Sequence, residues 1–298
     1  MRRSRLFLAV GAIGLTAMAT VPAAASGRAR FSAAGEPAAI TLRILVTNDD
    51  GVAAPGLGKL VNALQALPDV EVTVVAPATN QSGVGDTFST GVISASPATT
   101  AYGDAATAVA GTPADSVLYA VKVLMPLPPH VVVSGVNQGQ NLGNITPISG
   151  TVGAARTANR LGVPAIALSA GLGTKIGLAY GVGGNFAAGW VALFRSTYED
   201  ESSLAQTLNV NVPTCAVGTG SPRGTGVFPL GRSSAVGSYT ILTGVPGDGT
   251  VQTNLITKNP VTSNQNCASV VTGMDNDIDA FNEGFITLTV LNSDLEDL

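Results

Sequence analysis

Two adjacent carboxylates, Asp49 and Asp50, stand where the apolar run Leu42-Arg43-Ile44-Leu45-Val46-Thr47 stops and Gly51 follows. In open α/β sheets ligands bind just beyond the carboxyl ends of strands. Neighbouring carboxylates repel each other, and a cation, a shared proton or full solvation relieves them. A hard divalent cation suits such an oxygen-only cluster. A solvated Asp-Gly turn that caps the next helix is the plainer alternative. Three more polar clusters follow a predicted strand or open a helix: Asn80-Gln81-Ser82-Gly83, Asn137 to Asn141, and Ser149-Gly150-Thr151. In a parallel sheet these positions share one edge. The last cluster opens a helix of small residues, whose free N–H groups and dipole favour phosphate. Ordinary capping by Ser149 would explain it too. A cation beside a phosphate site implies metal-assisted phosphoryl transfer to water.

The elements that must position these groups read as α/β. Residues 42–47 form a strand, and Pro55 opens a helix with Leu57, Leu60, Val61, Leu64 and Leu67 on one face. That is the i, i+3, i+4, i+7 stripe of a core-facing helix. Residues 70–76 form a second β-branched strand, completing a βαβ unit with a parallel sheet. Residues 77–91 form a long polar loop. Thr112, Pro113 and Asp115 fit the N-cap, N1 and N3 positions of the next helix. Its buried stripe is predicted as Val117, Leu118, Val121, Leu124 and Met125. Strands follow at 130–133, 165–169 and 208–212, with helices from Ser149 to about Leu161 and from Asn185 to Tyr198. Beyond 213, short β-like runs at 238–243, 250–257 and 284–291 alternate with Gly, Pro and Asn, the pattern of appended hairpins.

Composition narrows the function. A net charge of −4 with 11% charged residues leaves no basic patch for a nucleic-acid polymer. No P-loop sequence is present, and no G-x-G-x-x-G follows the first strand, which argues against nucleotide-triphosphate and dinucleotide chemistry. The single histidine, His130, begins a strand and reads as structural. No G-x-S-x-G elbow supports a serine triad built on it.

The first 25 residues read as a signal peptide: Arg2, Arg3 and Arg5, an apolar stretch from Leu6 to Val21, then Ala23-Ala24-Ala25. Residues 26–40 read as a linker. The remainder, 41–298, is predicted as one domain: a core over about 41–212 and a β-rich arm over about 213–298. Export implies a periplasmic or secreted protein that does not span the membrane after cleavage. In an oxidising compartment Cys215 and Cys267 are candidates for one disulfide, although spacing alone does not show that they meet.

Several blocks, in order, now carry a resemblance: I-L-V-T-N-D-D-G-V-x-A-P-G-L (44–57), V-V-A-P-x-x-N-Q-S-G (74–83), G-T-P-A-D-S-V (111–117), V-V-S-G-V-N-Q-G-Q-N-L-G (132–143) and S-G-T-V-G-A-A (149–155). Fainter echoes are L-N-V-N-V-P (208–213) and E-G-F-I-T-L-T (283–289). The chain resembles the SurE family of stationary-phase survival nucleotidases and acid phosphatases. The resemblance implies a Rossmann-like three-layer α/β core with a mostly parallel sheet and a C-terminal hairpin extension. It implies one divalent cation, Mg²⁺ or Mn²⁺, held by Asp49, Asp50, Ser82 and Asn137. By the same resemblance Asn48, Gly83, Asn141, Ser149, Gly150 and Thr151 hold the phosphate. Asp49 and Asp50 are then the catalytic carboxylates, with Asp49 accepting or orienting the proton of water. The implied reaction is hydrolysis of nucleoside 5′- and 3′-monophosphates by a homodimer or higher homo-oligomer.

This chain departs from the family in three places. Ala78-Thr79-Asn80-Gln81 lacks the arginine common in that loop. Asn144 to Ile148 replaces an Asp-Asp and Tyr stretch, and Thr157 stands where a glutamate is frequent. These changes open two alternatives: a broad secreted acid phosphatase, or a non-catalytic exported protein that binds phosphate ligands.

Overall fold

A computed structural model describes residues 40–197, 206–232, 239–242, 255–258 and 265–292. The predicted leader and all of the linker but Ile40 lie outside the described residues. The unit from Thr41 onward is built on a nine-stranded sheet in the order β3-β4-β2-β1-β5-β6-β7-β11-β8.

The first half is β1 (Leu42–Thr47), α1 (Pro55–Gln65), β2 (Val70–Pro77), β3 (Ala95–Thr99), β4 (Ala105–Val109) and α2 (Pro113–Tyr119). Then come β5 (Val131–Gln138), α3 (Gly150–Arg160), β6 (Ala165–Ala170), α4 (Ile176–Thr197) and β7 (Gln206–Val212). The last part holds β8 (Thr225–Val227), β9 (Tyr239–Leu242), β10 (Leu255–Lys258), α5 (Asp277–Asn282) and β11 (Ile286–Asn292). β1 pairs in parallel with β2 on one side and β5 on the other. The chain therefore changes direction across the sheet at β1, which makes the crevice beyond β1 and β5 the topological switch point.

Alternation of side chains sorts the sheet into two cores. Ile44, Val46, Val133 and Leu168 face α1 and α4. Leu45, Val132 and Ala167 face α2 and α3. Three layers result, as the repeating strand-helix pattern requires.

Most predicted elements are present, and the departures have physical causes. β3 and β4 carry little apolar signal in A-S-P-A-T and A-A-T-A-V, so the sequence alone does not announce them. β3 is the edge strand, where Pro97 is tolerated, and β4 lies between it and β2. α4 starts nine residues before the predicted Asn185. Its glycines depress helix propensity, but Gly183 lies against the Val136 side chain and Gly184 against the main chain of Lys59. Close packing overrides the propensity. α2 ends at Tyr119 and continues in a π-turn over Ala120–Leu124. The extra residue in that turn rotates Leu124 out to the surface, so it leaves the predicted stripe. The run at 284–291 is a strand, but it lies inside the main sheet, antiparallel to β7. β9 and β10 pair only with each other, as an appended hairpin.

α4 is long and apolar enough to cross a membrane by composition. One face of it is used internally: Ala179, Tyr180, Ala187, Val191 and Phe194 join the core against α1 and the sheet, while Leu178 and Leu193 are exposed.

Cys215 and Cys267 form a disulfide, with Cα atoms 5.3 Å apart across 52 residues of sequence. Closing a loop of that length restricts the unfolded chain. The substitution Cys215→Ser is expected to lower the unfolding free energy by about 2–4 kcal/mol, read as a lower midpoint in urea. An unchanged midpoint would mean that the bridge contributes nothing to stability.

Candidate metal and phosphate site

Asp49 and Asp50 leave the end of β1 in a turn that the sequence writes locally. The Asn48 side chain accepts from the Gly51 N–H at 3.2 Å and donates to the Gly51 carbonyl at 2.9 Å. Gly51 has φ +102°, and a Cβ there would meet the Thr79 main chain at 3.1 Å. Only glycine fits that backbone comfortably. Asn48, expected among the phosphate contacts, thus has both amide atoms engaged in bracing the turn.

Asp49 is 2% exposed. Its Oδ1 accepts from Thr151 Oγ1 at 2.7 Å, at the first turn of α3. A Cβ on Gly150 would lie 2.8 Å from Asp49 Cβ and 3.2 Å from Asp49 Oδ2. The absent side chain of Gly150 is what lets the helix N-terminus close onto the carboxylate. Burial, then the charge of Asp50, push Asp49 up to about 6, with the Thr151 bond pulling the other way. Asp50 is half-buried. Its Oδ2 accepts from the Gln138 N–H at 2.8 Å, and its Oδ1 from Asn80 Nδ2 at 3.4 Å. Burial raises it as well, against the Gln138 bond.

The loop after β2 is tied to the pair from above. The Gln81 N–H donates to the Asp49 carbonyl at 2.7 Å, and the Asn80 side chain holds the Ser82 N–H at 2.9 Å. This brings Ser82 to the rim, exposed. Gly83, beside it, has open space where a Cβ would be. Farther along, Asp86 takes Thr157 Oγ1 at 2.8 Å and Arg160 Nη2 at 2.6 Å, stapling the loop to α3. Thr157 therefore serves that staple, a role the sequence did not reveal.

On the other flank β5 carries a bulge, its register against β6 shifting between Ser134 and Asn137. Bulges re-aim side chains, and Asn137 follows this one at the end of β5. Its Nδ2 donates to the Gly139 carbonyl at 2.6 Å. Its Oδ1 is buried and has no hydrogen-bond partner. Asn141, also buried, donates from Nδ2 to Ser169 Oγ at 2.8 Å and more loosely to Thr151 Oγ1 at 3.4 Å. Ser149 caps α3 through the Val152 N–H at 3.1 Å. His130 accepts from the Arg43 N–H at 2.8 Å and is buried, as a structural histidine would be.

Gln138, inside the cluster singled out from the sequence, meets Asp50 through its main-chain N–H; sequence reading missed Ser169, which takes the Asn141 amide. It also missed Asp277, which fastens the loop after β5 by accepting from Gly143 N–H at 3.0 Å and Gly231 N–H at 2.7 Å. Neither carries a motif of its own; the only sign was a polar residue in an otherwise apolar strand or helix start.

The arrangement fits a hard cation. The loop after β2 and the end of β5 both touch the Asp49–Asp50 turn, through Gln81, Asn80 and Gln138. The side chains gathered there carry oxygen donors, the kind a hard cation takes, while among the described residues no group of three His, Cys, Asp or Glu placed to hold a metal is present. Asn137 Oδ1 is one of several buried side-chain oxygens without a hydrogen-bond partner among the described residues, and its residue adjoins Gln138, whose N–H meets Asp50.

A family model described as survival protein SurE matches residues 44–235. The chain belongs to the SurE family. A Salmonella paratyphi A relative named 5′/3′-nucleotidase SurE is 33% identical over 265 residues, 85% of this chain and 91% of that protein. A Methanopyrus kandleri 5′-nucleotidase SurE is 49% identical over 128 residues, 43% of this chain and 48% of that protein. The match thus spans about half the length of that relative. The crystal structure of the SurE protein from Aquifex aeolicus superposes with a TM-score of 0.66 at 27% identity, covering 85% of this chain and 94% of that one.

The raised Asp49 makes a signed prediction for stability in the absence of divalent cations. Its neutral form is the stable one, so the contribution is full below pH 4 and lost as pH rises through about 6. Lifting a carboxyl that far above its ordinary range corresponds to about 3 kcal/mol. At pH 7 and without divalent cations, Asp49→Asn is expected to be more stable than the wild type by up to about 3 kcal/mol, with the gap closing at pH 4. Calorimetry at both pH values checks it; a gap that persists at pH 4 would place the cause elsewhere.

Proposed function

We propose that this SurE-family protein is a metal-dependent phosphomonoesterase that hydrolyses nucleoside 5′- and 3′-monophosphates to nucleoside and phosphate. The observation that carries the reading is the buried, unpartnered Asn137 Oδ1 at the strand end that also holds the Asp49–Asp50 pair and the N-terminus of α3. The names of the matched relatives point the same way.

Asp49, Asp50, Asn137 and Ser82 would hold one divalent cation, Mg²⁺ or Mn²⁺. When bound, that cation supplies Lewis acidity, making water more acidic and offsetting charge on phosphoryl oxygens. The chain's own groups do the rest. The N–H groups at Gly150 and Thr151 face the site from the start of α3 and favour the phosphate charge. Asn141 holds its amide beside Thr151. Asp49, its Oδ1 held by Thr151, accepts or orients the proton of the attacking water. Thr151 fixes which Asp49 oxygen is free to do so, since Oδ1 already takes the threonine hydroxyl.

Export is part of the proposal. The basic, apolar and small-residue order of the first 25 residues supports it, and so does the Cys215–Cys267 bridge. A homodimer or higher homo-oligomer is the proposed assembly, on the family resemblance. The neutral loop Ala78-Thr79-Asn80-Gln81 supports a second reading, a broad acid phosphatase, because it offers no charged group to read a nucleoside.

The test is phosphate release from AMP, GMP, 3′-AMP and an aryl phosphate, after chelation and after Mg²⁺ or Mn²⁺ is restored. Release restored by metal and favouring nucleotides is the expected result. Equal release from all four would select the broad phosphatase, and no release under any condition would leave a binding protein.

Two substitutions sharpen it. Gly150→Ala would push Asp49 aside and is expected to lower kcat about 100-fold while the fold persists. Asp49→Asn is expected to abolish metal-dependent release; full activity in that variant would overturn the site.

A further inference from the structure

We infer that Asn209 and Asn211 on β7 are positioning residues for Asn141, an inference that rests on the phosphatase reading above. β7 is buried on both faces. Leu208, Val210 and Val212 enter the core beneath α1 and α4. Thr207, Asn209 and Asn211 alternate onto the α3 face and have no exposure. A strand so placed ordinarily reads as a continuous apolar run. Two amides here need an explanation that packing does not supply.

Their partners give it. Asn211 Oδ1 accepts from the Asn141 N–H at 2.7 Å, and Asn211 Nδ2 donates to the Asn141 carbonyl at 3.1 Å. One side-chain amide thereby pairs with a main-chain unit through both its acceptor and its donor, as a neighbouring strand would. Asn209 Nδ2 adds a second donor to the same carbonyl at 2.8 Å, leaving its own Oδ1 buried without a partner. A tolerated orphan acceptor suggests that the donor end is what the position is kept for.

With both main-chain groups of Asn141 fixed by β7, its side chain is held against Ser169 and Thr151, and Thr151 in turn against Asp49. The path from β7 to the carboxylate is therefore Asn211, Asn141, Thr151, Asp49. Aspartate at 211 would keep the acceptor and lose the donor. Leucine would fill the space and lose both. Neither residue touches the reacting atoms, so the role is to aim Asn141.

The experiment measures kcat/KM for a phosphomonoester, inorganic phosphate affinity by calorimetry with Mg²⁺ present, and Tm. The variants are Asn211→Leu, Asn211→Asp, Asn141→Ala, and the double variant of Asn141→Ala with Asn211→Leu. Asn211→Leu is expected to lower kcat/KM and phosphate affinity by about tenfold while remaining folded. The double variant is expected to match Asn141→Ala alone, because residues acting through one another are non-additive. Should Asn211→Leu not fold, Asn211→Asp carries the test with the same expected direction. Losses that add in the double variant, or phosphate affinity unchanged in the single variants, would overturn the inference. If the wild type releases no phosphate, the function above fails on its own. Phosphate affinity still decides the positioning role, and a wild type that binds no phosphate overturns that too.

Discussion

A carboxylate, Asp49, is buried next to a second one with no cationic side chain among its hydrogen-bond partners, and the surrounding structure answers to that burden. Isolated charge in a dry site is expensive. Here the cost is offset by oriented dipoles: the Thr151 hydroxyl on Asp49, the Gln138 N–H on Asp50, and the N-terminus of α3 brought close by the missing side chain of Gly150. These groups only partly compensate, since both carboxyls remain above their ordinary range. The residual electrostatic strain, together with the unsatisfied Asn137 oxygen, is what a divalent cation would remove.

The sheet order explains why the pieces meet. β1 lies between β2 and β5, so the loops after these three strands converge on one point without any long excursion of the chain. Each loop contributes one kind of group: carboxylates after β1, the serine loop after β2, amides at the end of β5. α3, packed over the same end, closes the ring and is itself stapled to the serine loop through Asp86. Rigid strands supply the precision, and hydrogen bonds from the long loop after β2 to Asp49 and α3 keep it.

The C-terminal part is more than an appendage. β11 inserts beside β7 and completes the large sheet. α5 lends Asp277 to hold the loop after β5, and Leu142 of that loop packs against Ile278 and Phe281. The disulfide fastens the segment before α5 to the chain just beyond β7. Structure distant in sequence therefore supports the edge where Asn141 and Ser149 sit.

Local chemistry was legible in the sequence. The Asn-Asp-Asp-Gly turn, the Thr112-Pro113-Asp115 capping box and the amphipathic stripe of α1 follow from short-range rules, and the structure shows each of them. So was the family, because five ordered blocks cannot arise from propensity alone. The strands β3 and β4 were not legible, since half-exposed strands of alanine and threonine carry little pattern. Nor was the start of α4, where packing of Gly183 and Gly184 overrode a weak helix signal. Asn48 shows the same limit inside the site: the resemblance implied a phosphate contact, and only the structure showed its side chain bracing the turn at Gly51. The sequence by itself determined which groups stand at strand ends, because strand, turn and cap are written within a few residues. Only the tertiary structure decided which of them face one another, because strand order, the bulge in β5 and the closing of α3 onto Asp49 depend on contacts between residues about a hundred positions apart, such as Thr151 with Asp49, and no local pattern encodes those.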